Sequence, residues 1–298
     1  MPPIRTLLLT LLPMLLLIST PLMAATAGRP VQFPSLDTRD DTAIELNGIF
    51  YSASNDGVRP LVIALHGCGG LYSAKKGHET DVHPRHQAMA ELLQARGYHV
   101  LLVDSFTARG VRSICTTLYK TRDITPDNRR LDALGAMLWA TQQKEVDPHR
   151  VVLLGWSNGG SSTLNTLNQQ HQDKLSIALP AFRAGVAFYP GCSAYLKKSY
   201  QLNSPLLILV GELDDWTPPA ACLSLQRKLS PAPLSVSIYP DSYHDFDAPD
   251  QPIRLRKDVP NGAHPGMGVT TGSNPVAREA AYQEMYEFLE KNLSINKL

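Results

Sequence analysis

Short apolar runs alternate with helical stretches along most of this chain, and this alternation restricts the folds open to it. The apolar runs occupy residues 61–66, 98–103, 150–154, 185–189, 205–210 and 234–239. Helical patterns lie between or after them, at residues 86–95, 128–142, 157–168, 218–229 and 277–293. Runs that are apolar on both faces favour buried parallel strands. We therefore predict an α/β fold with a mostly parallel sheet and helices on both faces.

The crossover rule fixes where a site should lie in such a fold. Right-handed crossovers place the carboxyl ends of all parallel strands at one edge of the sheet, and ligands bind at that edge. Residues that follow the apolar runs are therefore the first candidates for function.

Length and charge limit the classes of protein. The chain has 298 residues, of which 43% are hydrophobic, enough for one large core. We predict a single domain over residues 28–298. Charged residues make up 18% and the net charge is +1, without a basic stripe or an acidic tail. Nucleic acid is therefore not an expected partner.

The amino-terminal stretch has the composition of a secretory signal peptide. Arg5 precedes an apolar run over residues 7–18, and Ala25-Thr26-Ala27 fits a cleavage site between small residues. An uncleaved anchor is the alternative, but the run is near the lower length limit for spanning a bilayer and Pro13 interrupts it. We predict a signal peptide over residues 1–27, a periplasmic or secreted protein, and no stable membrane anchor after cleavage.

All four cysteines lie beyond this leader, and they are Cys68, Cys115, Cys192 and Cys222. An even number in an exported chain indicates disulfides, and the alternative is four small buried thiols. Three pairings are open at this point.

A G-x-S-x-G pattern lies at Gly155-Trp156-Ser157-Asn158-Gly159. An apolar run leads into it and a helical stretch leaves it, as in a nucleophile elbow, where a strained turn exposes the serine hydroxyl. A plain strand-to-helix turn with serine as the helix cap is the alternative. The context favours Ser157 as a nucleophile.

A serine hydroxyl needs a base, and in a fold with such an elbow the base follows the acid along the chain. Three histidines follow the pattern, namely His171, His244 and His264. Only His244 comes directly after an apolar run, so we predict that it is the base.

The acid should follow the preceding run, where Asp214 and Asp215 are adjacent. Successive side chains point in different directions, so only one carboxylate can face the base. We predict Asp214 as the acid. Asp215 is then free to cap the helix that begins near Pro218.

A tetrahedral intermediate requires two N–H donors. One is expected from the backbone of Asn158, which follows the nucleophile. The other is expected from the backbone of Cys68 in His66-Gly67-Cys68-Gly69-Gly70, which follows the first apolar run. His66 itself is expected to brace this loop.

These segments together resemble the dienelactone hydrolase family of α/β-hydrolases, from about residue 44 to residue 293. The matching pieces are residues 66–70, 104–106, 109–110, 155–159, 189–192, 214–218 and 243–246. The resemblance implies an α/β-hydrolase fold, hydrolase chemistry and the acid, base and nucleophile positions given above, with no metal or cofactor. The enzymes that name the family use cysteine where this chain has Ser157, so the dienelactone substrate does not carry over. Arg109 and Arg112, near the site in sequence, are expected to be solvated at the surface.

Within such a fold the cysteines fall into two neighbourhoods. Cys68 and Cys115 lie on loops at the predicted site edge, and Cys192 and Cys222 follow neighbouring late strands. We therefore expect the pairs Cys68–Cys115 and Cys192–Cys222.

The function expected from these residues is hydrolysis of a small-molecule ester or lactone through an acyl-enzyme. Two alternatives remain: a peptidase or amidase, since the reacting residues do not determine the acyl group, and an exported binding protein without turnover. The sequence does not predict an oligomeric state.

Overall fold

A computed structural model describes residues 27–54, 57–172, 177–197 and 199–293. Within these ranges the main sheet has eight strands in the order β1-β2-β4-β3-β5-β6-β7-β8. The strands are β1 Arg29–Arg39, β2 Thr42–Tyr51, β3 Arg59–Leu65, β4 His99–Asp104, β5 Val146–Trp156, β6 Ala184–Phe188, β7 Leu206–Gly211 and β8 Leu234–Tyr239. A small hairpin consists of β9 Arg254–Arg256 and β10 Val269–Thr271.

The helices are α1 Pro84–Ala95, α2 Pro126–Ala140, α3 Asn158–Thr166, α4 Gln169–Gln172, α5 Ser193–Leu196, α6 Pro219–Leu229 and α7 Pro275–Leu293. Two short 3-10 turns lie at Thr107–Arg109 and Tyr119–Thr121. The predicted fold class is confirmed, because six neighbouring strands, β4-β3-β5-β6-β7-β8, run parallel with helices packed against them.

The central strands are apolar on both faces because both faces are covered. Every residue of β4, β6 and β7 is buried, and so are six of the seven residues of β3. Burying an apolar side chain contributes about 1.5–3 kcal/mol. These strands therefore hold the sheet in place and position the loops at their carboxyl ends.

The first strand is one that the sequence did not predict. It pairs antiparallel with β2 from Arg29↔Phe50 to Arg39↔Thr42. Its buried residues alternate at Val31, Phe33 and Ser35. Pro34 is tolerated because β1 is an edge strand, where a missing N–H donor costs little.

Helix α2 begins with a capping box. Thr125 is the N-cap, and its side chain and that of Asn128 each pair with the other's backbone. Pro126 occupies the first turn, where its missing N–H is not needed. This start directs α2 along the sheet, with Arg129 and Asp132 on its buried face.

In the described ranges, no helix is long and apolar enough to cross a membrane. The predicted leader cannot be compared with the structure, because residues 1–26 lie outside those ranges.

Candidate active site

Ser157 lies in a strained turn between β5 and α3. Its φ of 51° and ψ of −112° are rare for a residue with a side chain. The turn requires glycine on both sides. A Cβ on Gly155 would lie 2.3 Å from the Gly159 carbonyl oxygen, and one on Gly159 would lie 2.0 Å from that of Leu65. The G-x-S-x-G spacing thus permits a tight elbow that raises Ser157 at the carboxyl edge of the sheet.

His244 and Asp214 lie together at the same edge, after β8 and β7. The Asp214 Oδ2 atom lies 2.8 Å from His244 Nδ1, and both side chains are buried. His244 Nε2 is also buried and makes no hydrogen bond within the described part of the chain. A neutral imidazole that donates from Nδ1 to Asp214 leaves Nε2 with a lone pair available to accept a proton.

Thr217 makes further hydrogen-bond contacts with the Asp214–His244 pair. The sequence analysis did not single out this residue. Its hydroxyl lies 3.0 Å from Asp214 Oδ2, 3.1 Å from His244 Nδ1 and 2.9 Å from the Tyr189 carbonyl oxygen. Asp214 Oδ1 also accepts the backbone N–H groups of Trp216 and Thr217, at 2.9 and 2.8 Å. These bonds hold the carboxylate in one orientation toward the imidazole.

Asp215 faces away from this pair and has a different role from the predicted helix cap. Its carboxylate accepts the Thr270 backbone N–H at 2.7 Å and the Thr270 hydroxyl at 2.9 Å. Asp215 therefore fastens β10 to the loop after β7. Helix α6 has Pro218 at its N-cap position and no side-chain capping bond.

Two aromatic rings enclose His244. The Tyr189 and Trp216 ring centroids lie 4.4 and 4.7 Å from that of the imidazole. Burial alone would lower the pKa of His244, but the adjacent Asp214 carboxylate more than compensates, so the pKa is raised above its usual value. Asp214 thus stabilises the protonated form of His244, which is the form that a general base adopts after it has accepted a proton.

The loop after β3 packs directly against the elbow. A Cβ placed on Gly67 would lie 3.6 Å from the Ser157 Cβ and 3.5 Å from the Trp156 carbonyl oxygen. The next residue is Cys68, and its backbone N–H donates no hydrogen bond within the described ranges. The same holds for the N–H of Asn158 in the first turn of α3. Two backbone N–H groups without a hydrogen-bond acceptor in the described part of the chain therefore lie near Ser157. That of Asn158 belongs to the next residue in sequence, and that of Cys68 belongs to the loop packed against the elbow.

His66 braces this loop, as the sequence suggested. Its Nδ1 lies 2.7 Å from the Gly67 carbonyl oxygen, and its Nε2 accepts the Ser105 N–H at 3.3 Å. These contacts assign the proton to Nδ1 and occupy the Nε2 lone pair. Burial and the nearby Arg129 charge hold the pKa of His66 well below its usual value. A neutral ring with both nitrogens engaged is not available as a second base.

Both disulfides join the cysteines that the sequence analysis paired. Cys68 is bonded to Cys115, and Cys192 to Cys222. The first connects the loop after β3 to the segment after β4, and the Cys68 carbonyl also accepts the Ile114 N–H at 2.9 Å. The second connects the loop after β6 to helix α6. Each disulfide constrains a loop at the site edge.

A buried ionic cluster lies beside His244 and was missed by the sequence analysis. Arg85, at the start of α1, pairs with Asp245 at 2.8 Å and donates to the Tyr189 hydroxyl at 2.8 Å. Asp247 accepts from Tyr189 and, at 2.8 Å, from Trp156 Nε1. The only sequence signal was the spacing of two aspartates around Phe246, just after the predicted base.

Arg109 was predicted to be solvated, but its side chain is buried. Its side chain is 5% exposed and pairs with Asp132 at 2.8 Å and with Asp37 at 2.7 Å. The prediction was wrong because these partners come from β1 and α2, which the sequence could not place beside it. Arg112 is exposed and donates to the Glu79 carbonyl oxygen.

A cavity of about 250 Å³ opens beside the elbow, and Asn158 forms part of its wall. Tyr119, Ile124 and Tyr195 also line it, together with the charged side chains of Arg122 and Asp127. Within the described ranges, no group of three or more histidine, cysteine or acidic side chains could hold a metal ion.

Several solved structures share this fold at low sequence identity. A candidate dienelactone hydrolase from Klebsiella pneumoniae subsp. pneumoniae MGH 78578 has a TM-score of 0.62 and 17% identity, over 89% of this chain and 100% of that one. A dienelactone hydrolase-like promiscuous phosphotriesterase from metagenomic libraries has a TM-score of 0.60 and 19% identity, over 90% and 100%. Thermogutta terrifontis esterase 2, phosphoramylated by tabun, has a TM-score of 0.57 and 15% identity, over 90% and 96%.

No curated protein sequence matches the chain significantly. The sequence profile of the dienelactone hydrolase family matches residues 51–293, which include Ser157, Asp214 and His244. The chain therefore belongs to the dienelactone hydrolase family of α/β-hydrolases.

Proposed function

We propose that this chain is an exported serine esterase that cleaves a small-molecule ester or lactone through an acyl-enzyme. One observation carries the proposal. The buried Asp214–His244 pair, joined at 2.8 Å with Nε2 left without a partner in the described ranges, lies at the same sheet edge as the strained Ser157. A nucleophile, an acid and a base in this chain order are typical of α/β-hydrolases.

In the acylation step, Ser157 Oγ attacks the carbonyl carbon of the substrate while His244 Nε2 takes its proton. The carbonyl oxygen becomes an oxyanion, which accepts hydrogen bonds from the backbone N–H groups of Cys68 and Asn158. Asp214 stabilises the imidazolium that forms. When the intermediate collapses, His244 returns the proton to the alkoxide, which leaves as an alcohol.

In the deacylation step, His244 removes a proton from water, and the hydroxide attacks the Ser157 ester carbonyl. The same two amides stabilise the second oxyanion. Collapse of this intermediate breaks the bond to Ser157 Oγ, which recovers its proton from His244, and the carboxylic acid leaves. No further co-reactant is needed for this cycle.

The adjoining cavity supports a substrate with an apolar substituent. Tyr119, Ile124 and Tyr195 form an apolar wall beside Asn158, whose amide is proposed to hold the oxyanion. A substituent on the reacting carbonyl can bury its surface there, and such burial contributes about 25 cal/mol per Å² of apolar area.

The decisive experiment is hydrolysis of p-nitrophenyl acetate and butyrate by the mature protein and by Ser157→Ala. We expect kcat/KM to fall by at least about 10³-fold in the variant. Ser204→Ala is the matched control, because Ser204 is a buried serine whose hydroxyl bonds the Phe182 carbonyl, near the opposite ends of the strands. It should retain wild-type turnover.

Other outcomes would redirect the proposal. Turnover that survives in Ser157→Ala would reject Ser157 as the nucleophile. Faster cleavage of matched p-nitroanilides than of esters would favour an amidase or peptidase. A folded protein that neither turns over esters nor is labelled at Ser157 by a fluorophosphonate would support a binding protein.

Export is part of the proposal. The two disulfides are consistent with an extracellular location, since they persist in oxidising compartments. The leader composition of residues 1–27 supports a periplasmic or secreted destination.

A further inference from the structure

A guanidinium without a full set of partners is buried behind the nucleophile elbow. Arg129, on α2, is 0% exposed, and its Nη1 atom donates to Asn158 Oδ1 at 2.6 Å. Its Nε and Nη2 atoms have no hydrogen-bond partner within the described ranges. Burial lowers the pKa of Arg129 to about 9, so the side chain is still cationic at neutral pH. Such burial is costly, and a purely structural position would favour a fully paired or apolar side chain.

A neighbouring arginine shows what full pairing looks like in this region. Arg109 bonds Asp132 through two nitrogens and Asp37 through one. Asp132 also accepts the Ser35 hydroxyl at 2.7 Å, so its oxygens are already engaged. Arg129 lies on the same helix as Asp132 and yet directs its single side-chain hydrogen bond to Asn158.

Arg129 is linked to the segments that carry both proposed oxyanion donors, directly to one and through an aromatic ring to the other. On one side it holds the side chain of Asn158. On the other, its guanidinium carbon lies 5.2 Å from the Phe106 ring centroid, and Phe106 packs in a cluster with Cys68 and Cys115. Phe106 also packs against His66, with ring centroids 4.5 Å apart. Arg129 thus bonds Asn158 directly, and its guanidinium packs on the ring that supports the Cys68 loop.

We propose that Arg129 is a positioning residue for the oxyanion hole: it fixes Asn158 so that its backbone N–H faces the developing oxyanion, and it places a buried positive charge behind that site. This inference rests on the proposed esterase function. Arg129 is then expected to stabilise the transition state, which carries the oxyanion, more than the substrate complex. Such a contribution raises kcat and leaves KM nearly unchanged.

The test compares Arg129→Met, Arg129→Lys, Asn158→Ala and the Arg129→Met/Asn158→Ala double variant. For p-nitrophenyl butyrate we expect kcat to fall about 10- to 100-fold in Arg129→Met, less than the loss on deleting an oxyanion donor outright, with KM within about twofold of wild type. Asn158→Ala keeps the backbone donor but loses the Oδ1 contact. It should lose a similar factor, and the double variant no more than the larger single loss.

Two further readouts separate positioning from damage to the fold. The affinity for a trifluoromethyl ketone, whose adduct with Ser157 carries an oxyanion, should fall by the same factor as kcat/KM. Arg129→Lys should recover part of kcat, because it restores the charge but not the planar fork. Thermal unfolding of each variant ensures that all are compared while folded.

Wild-type kcat in folded Arg129→Met would overturn the inference. So would a fold loss of kcat in the double variant equal to the product of the two single-variant losses, because the two residues would then act independently. If Arg129→Met does not fold, wild-type kcat in Asn158→Ala overturns it in the same way. Failure of the proposed function looks different: wild-type protein would then show no Ser157-dependent turnover and no fluorophosphonate labelling of Ser157.

Discussion

The imidazole of His244 experiences two opposing effects, and in the proposed esterase their balance determines the pH range of activity. Burial favours its neutral form, whereas the Asp214 carboxylate favours its charged form and prevails, so the pKa is raised. A base works only when it is unprotonated. As pH falls through this raised pKa, His244 takes up a proton and the reaction stops. The acidic limb of kcat/KM should therefore lie above the ordinary histidine value of about 6.5.

The variant Asp214→Asn tests this interpretation. Removing the charge leaves burial as the main effect, so the acidic limb should move to lower pH while kcat falls about 10³- to 10⁴-fold. Asp215→Asn is the matched control, since Asp215 bonds Thr270 rather than His244. It should keep the wild-type limb. If Asp215→Asn shifted the limb and Asp214→Asn did not, the acid would be misassigned.

The sequence could place Ser157 and His244 at one edge of the sheet, because each follows an apolar run that is typical of a buried parallel strand. It could not separate Asp214 from Asp215 with certainty, because neighbouring side chains diverge and only the fold shows which one meets the imidazole. Arg129 was missed for a related reason. A charged residue in a predicted helix is usually solvated, and its burial depends on contacts with Asn158 and Phe106 from two other segments.

Among the secondary-structure elements, α1 is attached to the loop that carries His244 by a buried ion pair. Arg85 binds Asp245 at 2.8 Å, and its Nε lies 3.8 Å from Asp247. Replacing Arg85 by Met would leave the buried Asp247 and the partly buried Asp245 without their counter-charge. We expect the free energy of unfolding to fall by about 3–5 kcal/mol, measured by urea denaturation.

The control for this prediction is Arg150→Met. Arg150 pairs with Asp147 at 2.7 Å, but both side chains are more than one fifth exposed. Such a pair contributes about 0–1 kcal/mol. Equal losses in the two variants would contradict the special role of the buried cluster.

The two disulfides constrain different elements and should differ in their effect on catalysis. Cys68–Cys115 closes a separation of 47 residues and holds the loop that carries one proposed oxyanion donor, whereas Cys192–Cys222 closes 30. Replacing either pair by alanine should reduce the free energy of unfolding by about 2–4 kcal/mol. Only the Cys68→Ala/Cys115→Ala variant should also lose kcat substantially.

Steady-state kinetics on both double variants, at a temperature where each is folded, checks this difference. The Cys192→Ala/Cys222→Ala variant serves as the stability-matched control. A kcat loss that simply followed stability in both variants would mean that the Cys68–Cys115 bridge supports the fold without specifically holding the oxyanion loop.

The mostly parallel sheet and the long helices of the molecule could be anticipated from alternation alone, but the first strand and the small hairpin could not. Strand β1 was missed because it contains two prolines, which an edge strand allows. The hairpin β9–β10 was missed because its strands are only three residues long. Their pairing depends on tertiary contacts such as that of Asp215 with Thr270, which no local pattern encodes.

At the scale of the whole chain, the last prediction concerns processing. The predicted leader ends at residue 27, and β1 begins at Arg29, where the pairing Arg29↔Phe50 already belongs to the sheet. Cleavage after Ala27 would therefore leave every strand of the sheet intact. We expect the intact mass of the exported protein to correspond to residues 28–298 with four oxidised cysteines, and its unfolding temperature to drop on addition of a thiol reductant. A mass that retained the first 27 residues would contradict cleavage, and free thiols in folded, exported protein would contradict the disulfide contribution to stability.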